Sequence, residues 1–243
     1  MEVHQVALGY FRNFLHNRLE SSVEFYVKKM DNLIEYKNGA LLSFNDHIET
    51  ELTPASGYSY GLEFLLKLNY GRLDGWISYT YSRSMVRTSG TYNSEQVNKN
   101  EWYPSQYDKP HDLTIYLNYH YNRRLRFGLN FNFTSGRSIT LPEYVYKHAF
   151  NDIVYFSDRN KYRLPAYHRL DLSVSYDESL RTAKKWKGSW TFSILNVYGR
   201  KNAYSIFYRR EDPLITGNYK LFSTYKLYLI GVPMPVLTYN FRF

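Results

Sequence analysis

Strict alternation of apolar and polar residues, sustained over runs of ten or more positions, is what most limits the folds open to this chain. In HDLTIYLNYHY, Leu113, Ile115, Leu117, Tyr119 and Tyr121 share one face, opposite Thr114, Tyr116, Asn118 and His120. LRFGLNFNFT repeats the pattern, with Leu125, Phe127, Leu129, Phe131 and Phe133 opposite Arg126, Gly128, Asn130, Asn132 and Thr134. RLDLSVSYD sets Leu170, Leu172, Val174 and Tyr176 against Arg169, Asp171, Ser173, Ser175 and Asp177. A period of two belongs to half-buried strands and not to helices.

Followed along the chain, the alternation predicts an all-β protein of about nine antiparallel strands. They fall near 2–13, 18–36, 57–71, 75–88, 110–121, 125–136, 166–177, 188–199 and 225–243. Short turns at NFLHN, GRLDG, NRR and the longer ESLRTAKKWKG alternate with long loops near 37–56, 89–109, 137–165 and 200–224. All short turns are therefore expected at one end of the sheet and all long loops at the other, an asymmetry shared by outer-membrane barrels.

Alternation alone does not say whether the apolar face meets a protein core or lipid; a soluble sandwich is the rival. Three features favour lipid. Soluble strands run to about 5–6 residues, whereas these approach the roughly 9–11 that cross a bilayer when tilted. The opposite faces carry Glu63, Lys67, Arg126, Asn130, Arg169 and Asp171 at mid-strand, as a wet or plugged lumen requires. Tyrosines (Tyr58, Tyr70, Tyr119, Tyr121, Tyr176) gather at strand ends, where their amphipathic rings suit a membrane interface. The mean hydropathy of −0.53 is no obstacle, because alternating lumen-facing residues lower the average. The 19% aromatic content argues against disorder.

An odd count of strands poses a closure problem. A single-chain bacterial barrel has an even number, and an open sheet in lipid leaves unpaired backbone groups at two edges. The chain is therefore expected to be part of a larger barrel. No signal peptide is visible in MEVHQVALGYF, which fits that expectation.

Five stretches resemble, in order and spacing, the C-terminal half of the barrel of TonB-dependent outer-membrane receptors, especially the Bacteroidetes type carrying a carboxypeptidase-regulatory-like domain before its plug. They are ASGYSYGLEFLLKLNYGRLDGWISYTYSRS (55–84), YPSQYDKPHDLTIYLNY (103–119), RLPAYHRLDLSVSY (163–176), WTFSILNVYGRKNAYSIFY (190–208) and MPVLTYNFRF (234–243). The resemblance implies that residues 1–243 are the C-terminal part of a 22-stranded transmembrane barrel, strands 14 to 22, with no plug domain in the chain. It implies a transport receptor of the cell outer membrane for scarce nutrients, driven by the TonB complex through an N-terminal part not present here. Another outer-membrane barrel, an adhesin or porin-like protein, is the alternative, and a soluble all-β binding module a further one.

No motif for catalysis is present, so an enzyme is not expected; a small-barrel hydrolase is the minor rival. No cofactor and no metal site are expected. Asp108, His111 and Asp112 are better read as polar residues satisfying backbone groups at a loop-to-strand junction than as metal ligands. His168 and Asp171 fall on opposite strand faces. Cysteine is absent, so thiolate sites are excluded. The formal charge of +9 is dispersed, and no nucleic-acid partner is expected.

Candidate ligand-binding side chains lie on the long loops: Tyr92, Trp102, Tyr103 and Tyr107 on one, Tyr144 and Tyr146 on another. Tyr155, Phe156, Lys147, His148 and Arg159 stand near the second group. Aromatic and cationic groups on loops of a rigid scaffold often build recognition sites; packing of loop against loop is the alternative. Arg126, Asn130, Arg169 and Asp171 are expected to face the lumen and to meet a plug or water. The terminal PVLTYNFRF alternates to its last residue. Outer-membrane proteins similar to this one present such an end, here Tyr239, Phe241 and Phe243, to the barrel-assembly machinery. Lipid, that machinery, the TonB complex and a nutrient ligand complete the expected partners.

Overall fold

The computed structural model describes residues 1–149, 151–178, 187–210 and 222–242. Its strands in chain order are β1 (Glu2–Phe14), β2 (Leu19–Tyr36), β3 (Leu52–Tyr70), β4 (Leu73–Thr88), β5 (Tyr103–Pro104), β6 (His111–His120), β7 (Leu125–Thr134), β8 (Ser138–Ile139), β9 (Pro142–His148), β10 (Asn151–Phe156), β11 (Tyr162–Arg163), β12 (Tyr167–Asp177), β13 (Lys187–Leu195), β14 (Ala203–Arg210), β15 (Phe222–Tyr228) and β16 (Met234–Arg242). Single-turn 3-10 helices cover Ile48–Glu51 and Val97–Asn100.

One antiparallel sheet dominates, in the order β1-β2-β3-β4-β6-β7-β12-β13-β16, with β5 added beside β4. Its order follows the chain, so each long strand pairs with the one before it. The sheet is open, with β1 and β16 at its edges among the described residues. No helix among the described residues is long and apolar enough to cross a membrane, which says nothing about strands.

Register turns the alternation of single strands into two continuous surfaces. On one, Ser21, Leu66, Ile77, Ile115, Phe131 and Leu170 stand opposite one another in a row from β2 to β12. Rows on either side read Val23, Phe64, Tyr79, Leu113, Phe133 and Leu117, Leu129, Leu172, Ile194, Pro235. A one-residue slip in any strand would break all of them. The other surface reads Lys67, Trp76, Tyr116, Asn130, Asp171 along one row and Ser22, Leu65, Ser78, Thr114, Asn132, Arg169 along the next.

The apolar surface is uncovered. Leu8 is 75% exposed, Leu62 44%, Phe192 46% and Leu237 65%. Such a contiguous patch is not normal for a face in water. Aromatic residues bound it at both ends: Phe14, Tyr70, Tyr121, Tyr176 and Trp190 towards the short turns, Tyr58, Tyr60 and Tyr81 towards the long loops. Tyr60 and Tyr70 lie on the same strand, ten residues apart. At about 3.3 Å per residue and a tilt near 40°, the span between them is about 25 Å, the height of the apolar band of an outer-membrane barrel. Strands β2, β3 and β4, at 18, 19 and 16 residues, continue beyond that band on the loop side.

Gly75 belongs to the apolar side of β4, at φ +153°, and a Cβ there would drive into the Tyr116 carbonyl oxygen of β6. Only glycine lets the two backbones approach so closely.

All nine spanning strands expected from the alternation are present, with three boundaries corrected; the eighth, expected to reach 199, ends at Leu195, where Asn196 turns the chain at positive φ. The third begins at Leu52, five residues before position 57, because its loop-side extension still pairs with β2 through Thr53, Pro54 and Ala55. The ninth does not begin at 225. Tyr225 belongs to β15, which pairs with β14, and β16 starts at Met234 after Gly231 and Pro233 break the run. The expected loops at 137–165 and 200–224 are also partly ordered as hairpins, β9–β10 and β14–β15. Most of the turn at 178–188 and the terminal Phe243 lie outside the described residues.

Candidate functional site

The inner, polar face is largely self-satisfied. Arg169 pairs with Asp171 at 2.8 Å, and Asp171 also accepts the Asn196 N–H at 2.8 Å. Arg126 pairs with Asp177 at 3.4 Å, while its Nε is buried without a partner among the described residues. Asn130 accepts from Asn132 at 3.3 Å, and Asn132 from Thr114. The four side chains predicted to face the lumen do share one face. Trp76 and Tyr116 lie on it too, their rings 4.4 Å apart, and sequence reasoning did not single out that pair. Their signal was an aromatic at a polar-phase position.

At the loop end, the 89–110 segment folds back over this face. Val97 and Tyr103 pack on Ala55 and Val86, with Leu33 alongside, and form a small buried cluster. Asn98, Lys99 and Asn100 all adopt positive φ. Three consecutive left-handed residues are unfavourable by about 1 kcal/mol or more each and need external support. That support is visible: Asn100 accepts from Thr88 Oγ1 at 2.8 Å and donates to the Gly90 carbonyl at 3.1 Å. Asn98 and the Arg159 backbone exchange two hydrogen bonds, at 3.0 and 2.8 Å.

Arg159 ties three loops together. Its guanidinium donates to the carbonyls of Tyr36 and Lys37 and to the Asn38 side chain, and pairs with Glu35 at 3.3 Å. Tyr103 lies beside it, 3% exposed, its hydroxyl making no hydrogen bond among the described residues. Burial, reinforced by the nearby Glu35 carboxylate, pushes this phenol up to about 12. Asp108 forms a second tie. Its fully buried carboxylate accepts the Ser84 N–H at 2.7 Å and pairs with Arg83 and Arg163.

The remaining predicted positions separate. Trp102 sits on the outer face, edge-on to Tyr58 at 4.6 Å and under the Arg87 guanidinium, while its neighbour Tyr103 is buried inside. Tyr92 and Tyr107 are exposed. Tyr144 stacks on Tyr155 at 4.5 Å across β9–β10, and Tyr146 stands on the same hairpin. Phe156 meets Tyr208 at 5.7 Å, joining that hairpin to β14. Lys147 has no described side chain, and His148 ends β9.

His111 faces outward to the Tyr79 hydroxyl, Asp112 accepts from Thr134, and Asp108 is engaged by its arginines, so the trio does not converge. Among the described residues no group of three or more His, Asp or Glu is placed to hold a metal. At the chain's end, Tyr239 packs on Trp190 at 4.5 Å and Phe241 stands opposite Gly188; both rings lie on the apolar face. Two cavities open on the loop side of the inner face. One, of about 510 Å³, lies among Asn38, Gln96, Asn98, Thr140, Asp158 and Arg159. The other, of about 480 Å³, lies between the ends of β7, β12 and β13 and the β14–β15 hairpin.

Comparison with known proteins bears on this architecture. The model of the "TonB dependent receptor-like, beta-barrel" family matches residues 2–197. The chain is similar in fold to the ferripyoverdine receptor of the outer membrane of Pseudomonas aeruginosa, solved bound to ferripyoverdine, with a TM-score of 0.53 at 15% identity. That match covers 99% of this chain and 27% of the receptor's, so the chain spans about a quarter of the receptor's length. A sequence search among curated proteins gives no match.

Proposed function

Because the chain belongs to the TonB-dependent receptor β-barrel family, we propose that it is the C-terminal part, strands 14 to 22 of 22, of an outer-membrane receptor that imports a scarce nutrient. The observation that carries this reading is the uncovered apolar band, about 25 Å high, bounded by aromatic rows, with a polar face behind it. In lipid such a band is satisfied; in water it would drive aggregation. The short turns then lie on the periplasmic side, and the long loops face outward to meet the ligand. Tyr92, Tyr107, Tyr144 and Tyr146 offer exposed rings there. Trp102 and Tyr103 serve through packing, one at the interface and one behind the loop.

The inner face lines a lumen occupied by a plug carried elsewhere in the protein. Arg126, Asn130, Arg169 and Asp171 line its wall, and Trp76 with Tyr116 adds an apolar contact. The TonB complex acts through that other part. The protein is a transporter and not an enzyme. The barrel-assembly machinery recognises Tyr239, Phe241 and Phe243.

The test is expression of the complete receptor in a Gram-negative host. Recovery in the outer-membrane fraction is expected, with nutrient uptake that stops when TonB is deleted. A protein that is folded and monodisperse without detergent overturns the reading.

A further inference from the structure

The 480 Å³ cavity has a composition unlike the rest of the inner face. Lys109, Arg137 and Arg169 line it, and among the described residues no carboxylate does. Arg169 is neutralised by Asp171. Lys109 and Arg137 are not: among the described residues neither side chain has a hydrogen-bond or ion-pair partner. Both come from loops beside strand ends, so the fold places two free cations over one hollow. Between them the wall is apolar and aromatic, built from Leu164, Tyr204 and Leu229 among others. Tyr204 is 64% exposed, so its ring is accessible.

Elsewhere on this face, several cations stand beside a carboxylate. Arg126 has Asp177, Lys67 has Glu20, Arg159 has Glu35 and Arg83 has Asp108. The 510 Å³ cavity sets Asp158 beside Lys99 and Arg159 among amides and hydroxyls, so its charge is mixed. Both side chains are exposed, and two like, unmatched charges over one concavity attract a counter-ion more strongly than a single charge on an open surface. A pocket of a few hundred Å³ with apolar walls and a few converging polar groups is also of the size that holds a small ligand.

We propose that this cavity binds an anionic ligand with a flat, apolar or aromatic body, its acidic groups on Lys109 and Arg137 and its rings against Tyr204 and Leu229. The proposal rests on the receptor reading only for its direction, since the cavity opens on the face assigned to the lumen; the charge and shape argument stands apart from it. Lipid is not the source of the anion, because the apolar band lies on the opposite face of the sheet.

The test uses the complete receptor in a non-ionic detergent and the polyanionic dye pyrenetetrasulfonate, followed by fluorescence anisotropy, with the dication methyl viologen as the opposite-charge control. The dye should bind saturably and methyl viologen should not. Lys109→Gln with Arg137→Gln should weaken dye binding at least about tenfold, since each charged contact in a concave site contributes more than a surface pair. Arg123→Gln with Arg124→Gln removes the same net charge at the turn end and should change it by less than about twofold. Tyr204→Ala keeps every charge and should still weaken it. Equal loss from both double variants, or none from the first, overturns the proposal. Nutrient uptake read in parallel separates the two ideas: site-dependent dye binding in a receptor without TonB-dependent uptake supports the cavity and sinks the transport role.

Discussion

Arg159 donates a hydrogen bond to the main-chain carbonyl of Tyr36 at 2.6 Å, although 123 positions separate them in the chain. The contact makes three of the long loops mechanically one unit. Removing it with Arg159→Met keeps the aliphatic stem but loses four polar contacts. Charge-assisted hydrogen bonds of this kind contribute about 1.5–3 kcal/mol each net at best, and they are not additive. Amide exchange across residues 97–104 should therefore speed up by about 10- to 100-fold, while the spanning strands stay protected. Mass-spectrometric exchange on the assembled receptor reads both regions at once. Unchanged protection at 97–104 would show that the loops hold each other without Arg159.

Tyr103 gives a pH dependence with a definite sign. Its folded-state pKa lies near 12, above the ordinary 10 of an unfolded tyrosine. Above pH 10 the unfolded segment loses this proton before the folded one does. The contribution of the neutral phenol is thus fully present below pH 10 and is lost as pH rises towards 12. Wild-type loop protection should fall across that window more steeply than in Tyr103→Phe. Near neutrality Tyr103→Phe should be almost silent, within about 0.5 kcal/mol, because the hydroxyl has no partner to lose. A cost above 1 kcal/mol at pH 7 would mean that the hydroxyl is bonded after all.

The face assignment is testable with neighbours on one strand. Phe131 belongs to the apolar row between Ile115 and Leu170, and Asn130 to the polar row between Tyr116 and Asp171. An arginine on the lipid face near mid-band costs about 2–4 kcal/mol, and one on the lumen face far less. Phe131→Arg should sharply reduce folded receptor in the outer membrane, whereas Asn130→Arg should be assembled. The reverse ranking would turn the sheet inside out.

How much of this was legible in sequence depended on the range of the interactions. The rows through Phe131 and Asn130 were readable because a period of two is set by local backbone geometry. The start of β3 is hidden in the sequence because Thr53 to Ala55 carries a proline and small residues, a weak local signal that long-range pairing with β2 overrides. Trp102 and Tyr103 looked alike as adjacent loop aromatics. Only the fold shows that one lies against Tyr58 outside and the other is buried against Val86 inside. A joint alanine variant of that pair would therefore perturb packing on two faces and would not isolate ligand contact. Arg159 was visible only as a loop cation; its tying role, and that of Asn98, left no signal, since each acts through partners more than 60 positions away.

Asp108 offers the sharpest separation of a structural carboxylate from a merely polar one. It is fully buried, receives the Ser84 N–H and faces two guanidinium groups, each about 30% exposed. Removing one partner of a buried pair costs about 3–5 kcal/mol, but the partial exposure of both arginines lets water recover part of that. Asp108→Asn keeps the acceptor for Ser84 and loses the charge, so a cost of about 1–3 kcal/mol is expected; Asp108→Ala also orphans the N–H and should cost about 1 kcal/mol more. Asp112→Asn removes the same charge four residues along, where an exposed carboxylate takes one hydrogen bond from Thr134. That substitution should change stability by no more than about 0.5 kcal/mol. The temperature at which the β-sheet circular dichroism of the receptor is lost should fall in the order Asp112→Asn, Asp108→Asn, Asp108→Ala. Equal shifts for the two asparagine variants would mean that the arginines around Asp108 are held by something other than its charge.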